Sequence, residues 1–331
     1  MNDTKKVALV NELVASFGTV VNRDQMMTIS KKYGVNPGFL TKNKVGRGVY
    51  DISEFVPGNL NPTTATAAVA NEISDEEILD GQRRRFRTLD RMAAGVIAGK
   101  VRSMIVSGPA GIGKTYTIEG MLERAEMDGE IKYKKITGFV KATGLFKALW
   151  ENRHDNAVIL IDDADSAFDD EVALNILKAA LDSSKRRVIS WASEKMFVDE
   201  MGEAIPNEFE YRGSMIFITN KNFENAIAQG KTMAPHFQAL ISRSFYIDLN
   251  FGSTREYLLR IEDVLKNTDM AYTLGLDEAD TTFLVKYVRT NANRMRELSL
   301  RMVLKLAKIL TFADSRADFE EIAETTCLRR K

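Results

Sequence analysis

At 331 residues, with 44% hydrophobic and 28% charged side chains, the chain can bury more than one core and has the balance of a globular protein. Forty-six basic residues offset 46 acidic ones, so no global field marks it as a binder of nucleic acid. A single cysteine, Cys327, excludes an internal disulfide framework, and two histidines, His154 and His236, leave Ser-His and His-metal chemistry without their usual parts.

The chain opens without an apolar core of the secretory type, and no run reaches membrane-spanning length; a cytoplasmic protein with no membrane contact is expected. Residues 1–54 read as a separate module carrying eight Lys/Arg against five Asp/Glu. Val7, Leu9, Val10, Leu13 and Val14 mark one amphipathic helix, and Met26, Met27, Ile29 and Tyr33 mark a second over Arg23–Tyr33. Gly34-Val35-Asn36-Pro37 forms a turn into Phe39 and Leu40, and Lys44–Tyr50 forms a small hairpin or wing. This order resembles a helix-turn-helix DNA-binding module, with Lys42, Lys44 and Arg47 facing phosphates. A protein-docking domain with solvated lysines is the other reading. Residues 55–80, with Pro57, Pro62 and Thr/Ala repeats, read as a flexible linker. Arg83, Arg84, Arg85 and Arg87 follow the acids Asp75–Asp80; they either face solvent beside those acids or contact nucleic acid or a neighbouring subunit.

Ser103–Ser107 is a short apolar run with the look of a buried strand, and Ile118, Met121 and Leu122 recur behind it at helical spacing. Between them lies Gly108-Pro109-Ala110-Gly111-Ile112-Gly113-Lys114-Thr115, two glycines at the spacing of a phosphate-binding loop followed by Lys and Thr. Strand, glycine loop and helix aim backbone amides and a helix N-terminus at a polyphosphate, so these residues and Tyr116 are expected to hold a nucleoside triphosphate. Lys114 reaches the β- and γ-phosphates in this reading, and the Thr115 hydroxyl ligates Mg²⁺. Further on, the apolar strand Ala157–Ile161 runs into Asp162-Asp163-Ala164-Asp165, acids at a strand end that complete such a site. Asp162 is expected on Mg²⁺ and Asp163 on the attacking water, with Asp165 as its competitor. Other strands are expected near Tyr133–Ile136, at Ser214–Thr219 and at Phe245–Leu249, with a charged insertion over 193–212. From about Thr254 the pattern is helical throughout.

From about residue 75 onward the chain resembles the AAA+ ATPases, on the strength of Gly108–Thr115 as Walker A and Ile159–Asp163 as Walker B. The resemblance implies an α/β fold: a P-loop αβα sandwich around a five-stranded parallel sheet (81–253), then an all-α lid (254–331). It implies an ATP hydrolase using ATP and Mg²⁺, working as a homo-oligomeric ring, hexameric by the superfamily's habit. By the same resemblance Asn220 matches sensor 1, Arg243 an arginine finger acting on a neighbour, and Arg296, with Arg294 as its rival, the lid arginine of sensor 2. Many members end Walker B in Asp-Glu; the Asp162-Asp163 form occurs among replication initiators. Phe139-Val140 falls where ring translocases carry a pore loop. The chain also looks like ATPases of tailed-phage genomes, acting in a bacterial cytoplasm. The implied work is remodelling or translocation of DNA, through residues 1–54 and the ring pore; a remodeller that recruits a protein client is the alternative.

Overall fold

The computed structural model describes residues 2–17, 19–41, 43–46, 48–52, 55, 73–192 and 196–330. Lys42 and Arg47, residues 56–72 of the expected linker and residues 193–195 of the expected insertion lie outside them. The chain forms two compact units, 1–72 and 73–331.

In the first unit, α1 (Asn2–Phe17) and α2 (Arg23–Tyr33) accompany a three-stranded antiparallel sheet in the order β1 (Val20–Asn22), β3 (Val49–Asp51), β2 (Lys44–Gly46). The helix α2 starts where Asn22 and Gln25 form a reciprocal capping box and stops at Gly34, whose φ of 61° ends the helical hydrogen bonding. A 3-10 turn over Pro37–Thr41 leads to the hairpin β2–β3. Leu9, Leu13, Val21, Met26, Leu40 and Ile52 meet in one small core. The strand β1, three residues long, carries too little pattern to be read from sequence.

The second unit opens with α3 (Asp75–Ile97), where a linker was expected as far as residue 80. Ser74 and Glu77 cap the helix reciprocally, and its first-turn acids suit the helix dipole, which overrides the low-complexity texture before it. Among the described residues, Arg83 and Arg85 find partners other than those acids, and Arg84 and Arg87 are exposed. Arg83 bonds Asp263, which is only 8% exposed, and Arg85 donates to the Asn250 carbonyl, so both fasten α3 to later parts of the unit.

Five parallel strands follow in the order β12 (Phe245–Asp248), β4 (Ser103–Ser107), β11 (Ser214–Thr219), β6 (Ala157–Asp162) and β5 (Lys132–Thr137). Their side chains alternate between two covered faces, as a parallel sheet requires. Met104, Val106, Val158, Leu160, Ile216 and Ile218 pack with α3 and α4 (Lys114–Met127). Ile105, Ile159, Ile161, Met215 and Phe217 pack on the other face with α5 (Ala142–Glu151), α6 (Glu171–Ala180), α7 (Phe223–Ala228) and α8 (Ala234–Ile241). The insertion is antiparallel: β7 (Val188–Ser190) pairs with β10 (Glu208–Glu210), and β8 (Phe197–Val198) with β9 (Ala204–Ile205). After β12 come α9 (Thr254–Asn267), α10 (Met270–Thr273), α11 (Glu278–Asn291), α12 (Leu300–Phe312) and α13 (Arg316–Cys327), around a core of their own that includes Leu284, Val303, Leu306 and Phe319. Among the described residues no helix is long and apolar enough to cross a membrane.

Candidate nucleotide site

Strand order decides what meets at the carboxyl edge of the sheet. The central strands β4, β11 and β6 are neighbours, with Thr219 beside Ser107 and Ile218 beside Asp162. Three strand ends therefore deliver the loop at Gly108, Asn220 and the acids at 162–163 to one place. The loop itself needs glycine for space. A Cβ on Gly108 would lie 3.2 Å from the backbone of Leu249, and one on Gly111, where φ is 71°, would lie 2.7 Å from the Ser299 side chain. Gly113, in the left-handed region, opens α4 without a side-chain cap, leaving the helix N-terminus for a ligand.

Lys114 is buried, and its ammonium donates to the carbonyls of Gly108 and Pro109 (2.8 Å) and to Asn220 Oδ1 (3.1 Å). Burial pulls its pKa down to about 8 against the pull of Asp163, Asp162 and Asp165. A phosphate would supply the countercharge that this buried cation lacks. Thr115 Oγ1 donates to Asp162 Oδ1 at 3.1 Å. Burial pushes the Asp162 carboxyl up, the Thr115 hydroxyl pulls it back, and Asp163 pushes it further up. A hydroxyl and a carboxylate side by side, with no cluster of three His, Cys, Asp or Glu among the described residues, suit Mg²⁺ shared with phosphate oxygens rather than a metal caged by protein alone.

Asp163 and Asp165 separate clearly. Asp163 lines the cavity with Lys114 and accepts from Asn220 Nδ2 at 2.9 Å. Asp165 instead accepts from the Thr219 hydroxyl at 2.6 Å, on the strand end. Asn220 thus touches Lys114 through its oxygen and Asp163 through its nitrogen.

The cavity measures about 530 Å³. Phosphate-loop residues, among them Tyr116, form one wall, and Val264, Met270, Leu274 and Leu304 from the C-terminal helices form an apolar part of the other. The α12 terminus docks on the loop directly, since Leu300 N donates to the Gly111 carbonyl at 2.7 Å. The two arginines expected at the lid are not among the residues lining this cavity. Arg296 donates to the carbonyls of Leu328 and Thr325, and Arg294 pairs with Glu324, because residues 294–296 bridge to the chain end at 327–329. The arginines lining the cavity are Arg301, in the first turn of α12, and Arg260 of α9. A readable signal existed for the first: Ser299 before Leu300-Arg301-Met302 is a helix N-cap that starts a helix beside the loop. For Arg260 the sequence carried none.

Arg243 lies elsewhere. Its carbonyl accepts from the Ser103 hydroxyl at 3.0 Å, placing it at the amino edge of the sheet, while Ser107 at the other end of β4 leads into the loop. Its guanidinium donates to the Ala239 carbonyl and faces Asp182 at 3.9 Å. In the loop between β5 and α5, Phe139 is 74% exposed, whereas Val140 is buried and donates its amide to Ser166 Oγ. The apolar pair expected there is therefore one exposed ring and one anchor.

The family model for ATPases associated with various cellular activities (AAA) matches residues 104–224. The chain is 40% identical over 250 residues to an uncharacterized 36.7 kDa protein from the nrdC-mobD intergenic region of Enterobacteria phage T4, covering 76% of this chain and 75% of that one. Among solved structures it is similar to the Thermotoga maritima RuvB Holliday junction branch migration motor (TM-score 0.46, 15% identity, 74% of this chain and 69% of that one). It is also similar to Brucella abortus NtrX in complex with ATP (TM-score 0.42, 14% identity, 88% and 58%).

Proposed function

Given that this chain belongs to the AAA+ ATPases and is an ATP hydrolase, we propose that identical copies form a ring, a hexamer, in which Arg243 of one copy completes the site of the next and the assembly moves or remodels DNA. The observation that carries the ring is the position of Arg243. It sits one strand length from its own phosphate loop, roughly 13 Å at the rise of a β-strand. At that distance Arg243 does not serve its own triphosphate, and in the proposed ring it would reach the site of a neighbouring copy.

Within one copy, Lys114 leaves its carbonyl partners for the phosphates, and the α4 amides hold them from below. Thr115 and Asp162 would hold Mg²⁺, whose charge would offset that of the phosphate oxygens. Asp163 takes the proton of the attacking water, with Asn220 fixing its carboxylate. Arg301 approaches the same phosphates from the lid.

The polymer reading draws support from Phe139, an exposed ring on a loop that also carries the exposed Lys141, and from the N-terminal unit with its hairpin and exposed Lys44. A stacking ring beside a cation suits a nucleic-acid strand. ATP turnover measured with and without single- and double-stranded DNA should rise with DNA, and the effect should fade steeply as salt increases. Turnover indifferent to DNA at low salt would sink the DNA assignment; stimulation by an unfolded polypeptide instead would establish the protein-remodelling alternative.

A further inference from the structure

Arg260 is a buried cation short of countercharge. Its side chain is only 13% exposed, and its Cζ lies 3.7 Å from the centroid of the Phe86 ring. Among the described residues it has no hydrogen-bond partner, and its Nε is fully buried without one. The nearest carboxylate, Asp263, faces it at 3.8 Å through Oδ2. That acid is already engaged through Oδ1 by Arg83 and by Asn267. Burial pulls the Arg260 pKa down to about 10, opposed by Asp263 and then by Asp90, so the group stays charged at neutral pH while lacking full compensation. A desolvated, half-paired guanidinium is costly unless something anionic completes it.

The cavity offers a place for such an anion. Arg260 lines the same cavity as Lys114, and its Nη2 lies 3.8 Å from the position a Cβ on Gly113 would take, just before α4 begins. Its neighbourhood differs from that of Lys114: the charges acting on Lys114 are Asp163, Asp162, Asp165 and Arg301, and those acting on Arg260 are Asp263 and Asp90. Arg301 and Arg260 line the cavity from different helices, α12 and α9, and Arg260 faces the start of α4.

We infer that Arg260 is a nucleotide-binding residue that contacts the α- or β-phosphate, the part common to ADP and ATP, from the first lid helix. This deepens the reading of the cavity as an ATP site and rests on it. A guanidinium on the lid that binds the phosphates retained after hydrolysis ties the lid to ADP as firmly as to ATP, so lid release waits on ADP departure rather than on cleavage.

The test compares wild type with Arg260→Met, which keeps a long unbranched side chain at this position and removes the guanidinium and its charge. Adenosine, ADP and a non-hydrolysable ATP analogue compete against a fluorescent nucleotide, with unliganded melting measured alongside. ADP and the ATP analogue should weaken by the same factor, about tenfold or more for a lost charge-assisted hydrogen bond, with adenosine unchanged. Equal weakening of all three would make Arg260 a wall of the cavity and overturn the assignment. Weakening of the ATP analogue alone would move the contact to the γ-phosphate and also overturn it, as would no change. Should Arg260→Met fail to fold, Arg260→Lys enters the same comparison, where the shorter reach of the ammonium gives the same pattern. A wild type that binds adenosine as tightly as ADP would remove the ATP reading itself, independently of Arg260.

Discussion

Asp163 has a φ of 51°, the one left-handed conformation outside glycine among the described residues. Asp and Asn tolerate this region better than other side chains, and Asn220 Nδ2 holds the Asp163 carboxylate at 2.9 Å. The strain turns the carboxylate out of strand β6 and into the cavity, whereas Asp165, two residues later, is spent on Thr219. Sequence alone left the two as rivals because both follow the strand closely; a backbone angle separates them. Asp163→Asn preserves the left-handed backbone and removes the base, so nucleotide binding should persist while turnover falls by about 10²–10⁴. Asp165→Asn should keep most of its turnover. Steady-state rates beside binding isotherms decide it, and an equal fall in both variants would reverse the roles.

At the scale of elements, the contact between α12 and the phosphate loop is what the linear chain concealed. The apolar positions of α12 were legible, since Met302, Leu306 and Ile309 recur at helical spacing and all are buried. The start of the helix set the site, and it depends on the Ser299 cap and the bond from Leu300 N to Gly111. Once residues 294–296 bridge to the chain end, Arg296 is consumed there and Arg301 inherits the cavity. Glycines test this docking. A Cβ at Gly111 strikes Ser299, and its φ is unfavourable for any side chain, so Gly111→Ala should destabilise the protein by about 1–3 kcal/mol and weaken nucleotide binding. Gly120, inside α4 with nothing within 4 Å, gives the opposite expectation: Gly120→Ala should stabilise by about 0.5–1 kcal/mol. Chemical denaturation of the two variants checks both signs, and a neutral Gly111→Ala would show that the lid yields freely.

For the whole molecule, one sheet has Lys114 at the carboxyl ends of its strands and Arg243 at the amino ends, and the proposed ring would bring the two together across an interface. Mixing Arg243→Ala copies with Lys114→Ala copies should restore part of the turnover that each lacks alone, because some interfaces then pair an intact loop with an intact arginine. Titration of one variant into the other measures it, and a strictly flat response at every ratio would count against an arginine acting between copies. The sequence by itself determined the phosphate loop, the acidic strand end, the central strands and the helical C-terminal part, because each is written locally: glycines around a turn, short unbroken apolar runs, and apolar residues every third to fourth position. Tertiary structure alone decided which acid faces the cavity, which arginines line it, and that Arg83 and Arg85 fasten α3 to later parts of the unit. Those outcomes hang on partners as far as 180 residues apart in the chain, and no local pattern encodes a contact whose other half lies elsewhere.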